Sequence, residues 1–95
     1  MNKVIYNNID QNHTISLINR NELEITGVNK IENLNEFEFY IITYQGNMYV
    51  KGLELEMKQL DIEKGLLQIK GKIMSIEYTD LKNKKEKSLI GKIFK

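Results

Sequence analysis

Apolar and polar side chains alternate along most of the stretch from Thr14 to Tyr78, and no part of it shows a convincing 3.6-residue period. Successive side chains of a strand point to opposite faces, so a period of two marks strands with one buried face. A chain with this pattern is confined to β architectures. The 95 residues suffice for one domain. A domain of that size buries a modest core, so association with a second copy or a partner is a natural supplement.

Turn residues divide the pattern. Thr14-Ile15-Ser16-Leu17 alternates, and Asn19-Arg20-Asn21 reads as a turn. Glu22-Leu23-Glu24-Ile25-Thr26 alternates again up to Gly27, with a short strand around Val28 and Ile31 and a turn over Asn33 to Glu36. Phe37 to Tyr44 is an aromatic and β-branched run, the strongest strand signal in the chain, with apolar residues on both faces. Gln45-Gly46 predicts a tight hairpin into Asn47 to Val50. Beyond Gly52, Leu53, Leu55 and Met57 share one parity, and Leu60 and Ile62 continue the apolar set up to a turn at Lys64-Gly65. Leu67, Ile69, Gly71 and Ile73 share a face, whereas Met74, Ile76 and Tyr78 have the opposite parity. A β-bulge or corner between Ile73 and Met74 keeps both sets on the core side.

The expected fold is all-β: a small antiparallel β-sandwich or β-roll, followed by a short C-terminal amphipathic helix or tail. The glycine beat Gly46, Gly52, Gly65 and Gly71 also suits a short β-solenoid. Residues 1–12 read as a polar leader, 13–80 as the β domain and 81–95 as a basic amphipathic tail. The chain has no proline to guard edge strands, so outward lysines and glutamates are expected to do so. Strand-rich architecture with so small a core predicts self-association, as a dimer before anything larger.

Composition narrows function by exclusion. With no cysteine there is neither a disulfide framework nor a thiolate metal site. No apolar run has the length of a transmembrane helix, and Met1 to Asn8 lacks the apolar stretch of a signal peptide, so a cytoplasmic location is expected. The net charge of +1 hides an asymmetry. Met1 to Leu81 carries 8 basic and 12 acidic side chains, a net −4, and Lys82 to Lys95 carries 6 and 1, a net +5.

No catalytic constellation is expected, and no cofactor or metal. His13 lies in the polar leader with only Asp10 near it in sequence, which reads as an exposed, inert histidine. Ser16, Ser75 and Ser88 lack nucleophile-elbow glycines. The pairs Glu22/Glu24 and Glu54/Glu56 read as outward charges on strands. Phe37, Phe39, Tyr40, Tyr44 and Tyr49 would suit a base-stacking platform on a small β-barrel nucleic-acid binder. A nucleic-acid face is basic, and Glu36 and Glu38 flank these aromatics, so core packing is the expectation and no nucleic acid is expected as a partner.

The order and spacing of several segments resemble the YabP family of sporulation proteins (YabP/YqfC-like). They are Arg20-Asn-Glu-Leu-Glu-Ile-Thr-Gly-Val28, Ile31-Glu-Asn-Leu-Asn-Glu36, Gly46-Asn-Met-Tyr-Val-Lys-Gly-Leu-Glu-Leu55 and Leu60-Asp-Ile-Glu-Lys-Gly-Leu-Leu-Gln-Ile-Lys-Gly-Lys-Ile-Met-Ser-Ile-Glu-Tyr78, with Gly91-Lys-Ile-Phe-Lys95 at the end. The resemblance implies a role in endospore development, in the mother cell and at the forespore surface, around coat or cortex morphogenesis with protein partners. It implies no catalytic residue.

The tail is the segment whose chemistry points most directly to a partner. Lys82, Lys84, Lys85 and Lys87 precede the apolar residues Leu89, Ile90, Ile93 and Phe94. The pairs Leu89/Ile93 and Ile90/Phe94 are four apart, so a helix would place all four on one side. Their full burial supplies roughly 6–10 kcal/mol before ordering costs, and each lysine near an anionic lipid surface adds about 1 kcal/mol. An acidic protein partner and an anionic membrane both fit. If the tail docks in trans, Ile93→Asp combined with Phe94→Asp abolishes binding to anionic vesicles or the partner and leaves the melting temperature nearly unchanged. A loss of several degrees with no binding at any stage would make the tail part of the core.

Overall fold

A computed structural model describes residues 12–79. They form six strands: β1 (Ile15–Ile18), β2 (Glu22–Ile25), β3 (Val28–Leu34), β4 (Glu38–Thr43), β5 (Gly46–Asp61) and β6 (Leu66–Tyr78). These make one antiparallel sheet in the order β1-β2-β6-β5-β4-β3. The sheet is open, with β1 and β3 at its two ends. Every neighbouring pair runs antiparallel, which rules out the solenoid. The C-terminal helix expected from the tail lies outside the described residues.

The long hairpin β5–β6 is the spine. The first half of β5 pairs with β4, and the first half of β6, Leu67 to Lys70, pairs with β2. The hairpin therefore belongs to two four-stranded halves. One is β3, β4, the start of β5 and the end of β6; the other is the end of β5, the start of β6, β2 and β1. Val28, Phe39, Ile41, Met48 and Val50 of the first half are buried, and so are Leu23, Ile25, Leu67 and Ile69 of the second. They form a single core cluster with Leu55 and Ile73. With no second layer among the described residues, the sheet buries this face by bending over itself into a roll.

Irregularities in the hairpin produce the bend. The register between β5 and β6 shifts at three places, leaving Met74, one residue of the Glu54-Leu55 pair, and Lys58 as extra residues. Met74 is where the side-chain parity flips in the sequence, and the bulge there keeps Ile73 and Ile76 on the core side. Met74 itself points outward and Tyr78 is exposed, so only Ile76 of that set joins the core. Around Glu54 the alternation also fails. Leu55 is buried while Leu53 and Met57 are exposed, because Glu54 has a positive φ of 53° and resets the phase. Gly46 is the first residue of β5, opposite Thr43, so the two-residue connection is Tyr44-Gln45 instead of Gln45-Gly46.

Hydrogen bonds from flanking turns hold the bend. Gly52 and Leu55 donate to the carbonyls of Phe37 and Glu36, and Gly71 and Ile73 donate to those of Asn21 and Arg20. The two strands cross so closely that a Cβ on Gly52 would lie 2.2 Å from the Lys72 carbonyl oxygen. On Gly71, whose φ is +133°, a Cβ would lie 2.6 Å from that of Glu54. Both contacts are with backbone, which cannot swing aside. Gly71→Ala is expected to lower unfolding free energy by about 2 kcal/mol or more, with Gly52→Ala at least as damaging. Denaturant titration checks this, and Gly65→Ala, whose nearest contact would be 3.2 Å, should cost less.

Candidate functional site

The outer face of the β3–β4 half carries Tyr40 and Tyr49, directly opposite each other on β4 and β5. Their rings meet edge to face, 5.8 Å apart at 77°. The Tyr49 hydroxyl donates to Glu38 Oε1, and Lys51 lies over the Tyr49 ring 5.0 Å from its centre. Asn47 Nδ2 donates to the Tyr40 hydroxyl at 3.4 Å. Of the five aromatics expected in the core, only Phe39 is there. Tyr40 and Tyr49 are half-buried on the outer face, and Phe37 and Tyr44 are exposed. Strict alternation along β4 is the reason: Phe39 and Ile41 turn in, so Tyr40 turns out. The crossed rings and adjoining carboxylates make a poor surface for stacking bases.

His13 departs from its sequence reading. Its Nδ1 lies 2.8 Å from the Thr26 carbonyl and its Nε2 lies 2.7 Å from the Tyr78 hydroxyl. The carbonyl can only accept, so Nδ1 carries a proton, and a neutral ring accepts from Tyr78 through Nε2. The imidazole and the Tyr78 ring meet edge to face at 5.7 Å. His13 thus ties the start of the sheet to the end of β6. Thr14 and Thr26 add a hydroxyl contact of 2.8 Å beside it. A lone histidine in a polar segment carries no signal of a partner 65 positions away.

Arg20, the only arginine, has a structural part that sequence reading missed. Asn19 and Arg20 both have positive φ, which closes the turn from Ile18 to Asn21. The Arg20 Nε donates to the Ile73 carbonyl at 2.8 Å, and its Nη2 reaches Met74 Sδ at 3.4 Å. The turn between β1 and β2 is thereby clamped to the bulge of β6.

The remaining candidates stay in their bland roles. Glu24 accepts from Gln68 across the sheet, and Glu22 and Glu56 both stand opposite Lys70. Glu54 sits on the bulge, out of line with Glu56. Ser16 and Ser75 are exposed on strands. Among the described residues, no three histidine, aspartate or glutamate side chains gather to hold a metal ion, and no helix is long and apolar enough to cross a membrane. Lys82, Lys84, Lys85, Lys87, Leu89, Ile90, Ile93, Phe94 and Ser88 lie outside the described residues.

Among the described residues, the bent sheet leaves apolar side chains such as Ile18, Leu53 and Met74 exposed. A family model described as the YabP family matches residues 9–85, which takes in the whole sheet. The chain belongs to the YabP family. It is also 35% identical over 88 residues to "Spore protein YabP" of Bacillus subtilis (strain 168), covering 92% of this chain and 88% of that protein. The family match ends at residue 85, ahead of the apolar residues from Leu89 to Phe94.

The Tyr49–Glu38 contact has a measurable signature. The Tyr49 pKa is raised above its ordinary 10.0, first by the hydrogen bond to Glu38, then by desolvation and by the charges of Glu38 and Glu77. Ionisation of the unfolded state then precedes that of the folded state. This contribution to stability is complete below pH 10 and falls as pH rises through the folded-state value. Ultraviolet difference titration should show the Tyr49 ionisation above 10.0, and Glu38→Gln should move it back toward that value.

Proposed function

We propose that this protein is a non-enzymatic assembly or adaptor module of spore coat or cortex morphogenesis, acting by protein–protein association in the mother-cell cytoplasm at the forespore surface. The observation that carries the reading is membership of the YabP family, together with likeness to a spore protein over most of both chains. The molecule's physical character supports it. Hydrogen bonds of the polar groups that reading a site would start from go to neighbouring strands and turns, as at His13, Arg20 and Glu24. Apolar side chains are left at the rims of the sheet.

In this reading the body and the tail divide the work. The sheet supplies a rigid platform with edges that can take a further strand. The basic segment from Lys82 docks on an acidic protein partner, or on an anionic membrane, and its apolar residues supply the affinity. A nucleic-acid partner fits less well, because the carboxylates of Glu38 and Glu77 stand beside Tyr49 on the outer face.

A fluorescent fusion of the full chain, followed through sporulation, is expected to concentrate around the forespore, and removal of residues 82–95 should disperse it. A full-length fusion that stays evenly distributed in the mother cell, or co-purifies with nucleic acid at physiological salt, would overturn the proposal.

A further inference from the structure

Four strand segments have a side with no strand beside it among the described residues: β1, β3, Glu56–Asp61 of β5 and Met74–Tyr78 of β6. Unpaired N–H and C=O groups along such an edge are templates for another strand, and proteins guard them with charge, bulges or cover. Three of the four are guarded. Strand β3 has extra residues at Asn29 and Glu32, and a Lys30–Glu32 ion pair of 3.6 Å. The β5 segment bulges at Lys58 and carries Glu56 and Asp61. The β6 segment is clamped by Arg20 at Ile73 and Met74, carries Glu77, and is tied to His13 at Tyr78.

Strand β1 has none of these devices. Its sequence, Ile15-Ser16-Leu17-Ile18, has no charge, and its register with β2 runs without a bulge from Ile15↔Ile25 to Ile18↔Glu22. All four residues are exposed, with Leu17 at 41% and Ile18 at 52%. Ile15 and Leu17 stand opposite Ile25 and Leu23, so they extend the core rows beyond the last covered strand.

We infer that β1 is the contact through which two copies of this chain join, edge to edge and antiparallel about a two-fold axis; this rests on the association reading above and names its surface. Two features favour a second copy over a different partner. The strand is neutral, so its copy sets no like charge opposite any of its residues. Symmetry also preserves the faces. An antiparallel pair related by an axis normal to the sheet matches residues whose numbers sum to an even value. Ile15 and Leu17 of one copy therefore meet Leu17 and Ile15, or Leu17 alone, of the other. The inner apolar rows run on across the axis, and on the outer face Ser16 meets Ser16 in the first register and Ile18 in the second. The β1 half of the sheet becomes eight strands wide. A four-residue edge buries less than the about 1,000 Å² of a stable interface, so the dimer depends on concentration.

The full chain has no cysteine, so a single introduced thiol reports only contacts between copies. Ser16→Cys detects the register centred on residue 16 and Leu17→Cys the one centred on 17. Under mild oxidation one of the two is expected to form disulfide dimers in high yield, whereas Gln59→Cys and Ser75→Cys, on the guarded edges, are not. Ser16→Lys places like charges across the axis and should weaken dimerisation in sedimentation by at least about tenfold. Its melting temperature should not move, because Ser16 is exposed. Absence of cross-linking at both β1 positions, or cross-linking through Gln59→Cys or Ser75→Cys instead, overturns the inference. If the β1 thiols fail while the fluorescent fusion still gathers at the forespore, this contact is wrong and the assembly reading stands. Linked β1 thiols with a dispersed fusion support the contact and remove the assembly reading.

Discussion

The close passage of β5 and β6 at Gly52 and Gly71 is the contact on which the rest of the structure depends. Without the bend, Phe39, Ile41 and Val50 on one half and Leu23, Ile25 and Ile69 on the other would lie on one flat, wet face. Folding them together is the way a six-stranded sheet with no second layer among the described residues gains a core. The bend in turn requires backbone to approach backbone where a methyl group has no room. Turns on both sides then lock it: Glu36 and Phe37 bond the β5 side, and Arg20 and Asn21 bond the β6 side. The side chain of Arg20 adds a hydrogen bond to Ile73, so one residue holds the corner through both its backbone and its guanidinium group.

Period-two patterning made much of this legible. Leu67, Ile69 and Ile73 are buried as their spacing predicts, and the parity flip after Ile73 coincides with the bulge at Met74. Legibility ends where the backbone leaves strand geometry without a marker. Leu53, Glu54 and Leu55 read as plain alternation, yet Glu54 adopts a positive φ that nothing in its residue type announces. The aromatic run from Phe37 invited a core reading because composition does not say which parity faces inward. Once Phe39 is inside, Tyr40 must be outside. Sandwich and solenoid could not be separated either, since evenly spaced glycines suit both, and only the pairing partners decide.

The ties made by His13 were out of reach for a different reason. Its partners, Thr26 and Tyr78, come together only after the sheet has bent and β6 has returned beside the segment that leads into β1. A long-range polar contact of this kind is a consequence of the fold, and a single sequence records none of it. The expected guard of outward lysines and glutamates holds on β3 and β5. It fails on β1, whose four residues spell a strand as well as any in the chain but carry no charge.

That exception bears on how large an assembly can grow. A two-fold contact uses the same patch on both copies and closes on itself, so β1 alone ends at a dimer. The proposed assembly role would need at least one further contact on each copy, made by a different patch. The net +5 of Lys82 to Lys95 against the net −4 of the preceding chain would be a source of such a contact, since opposite charges attract. A dimer of the proposed kind would carry two tails, and binding of the first would raise the effective concentration of the second. Under the proposed contacts, weak binding of both kinds would hold an array that neither would hold alone, and an edge pairing too small to be permanent on its own would suffice for that purpose.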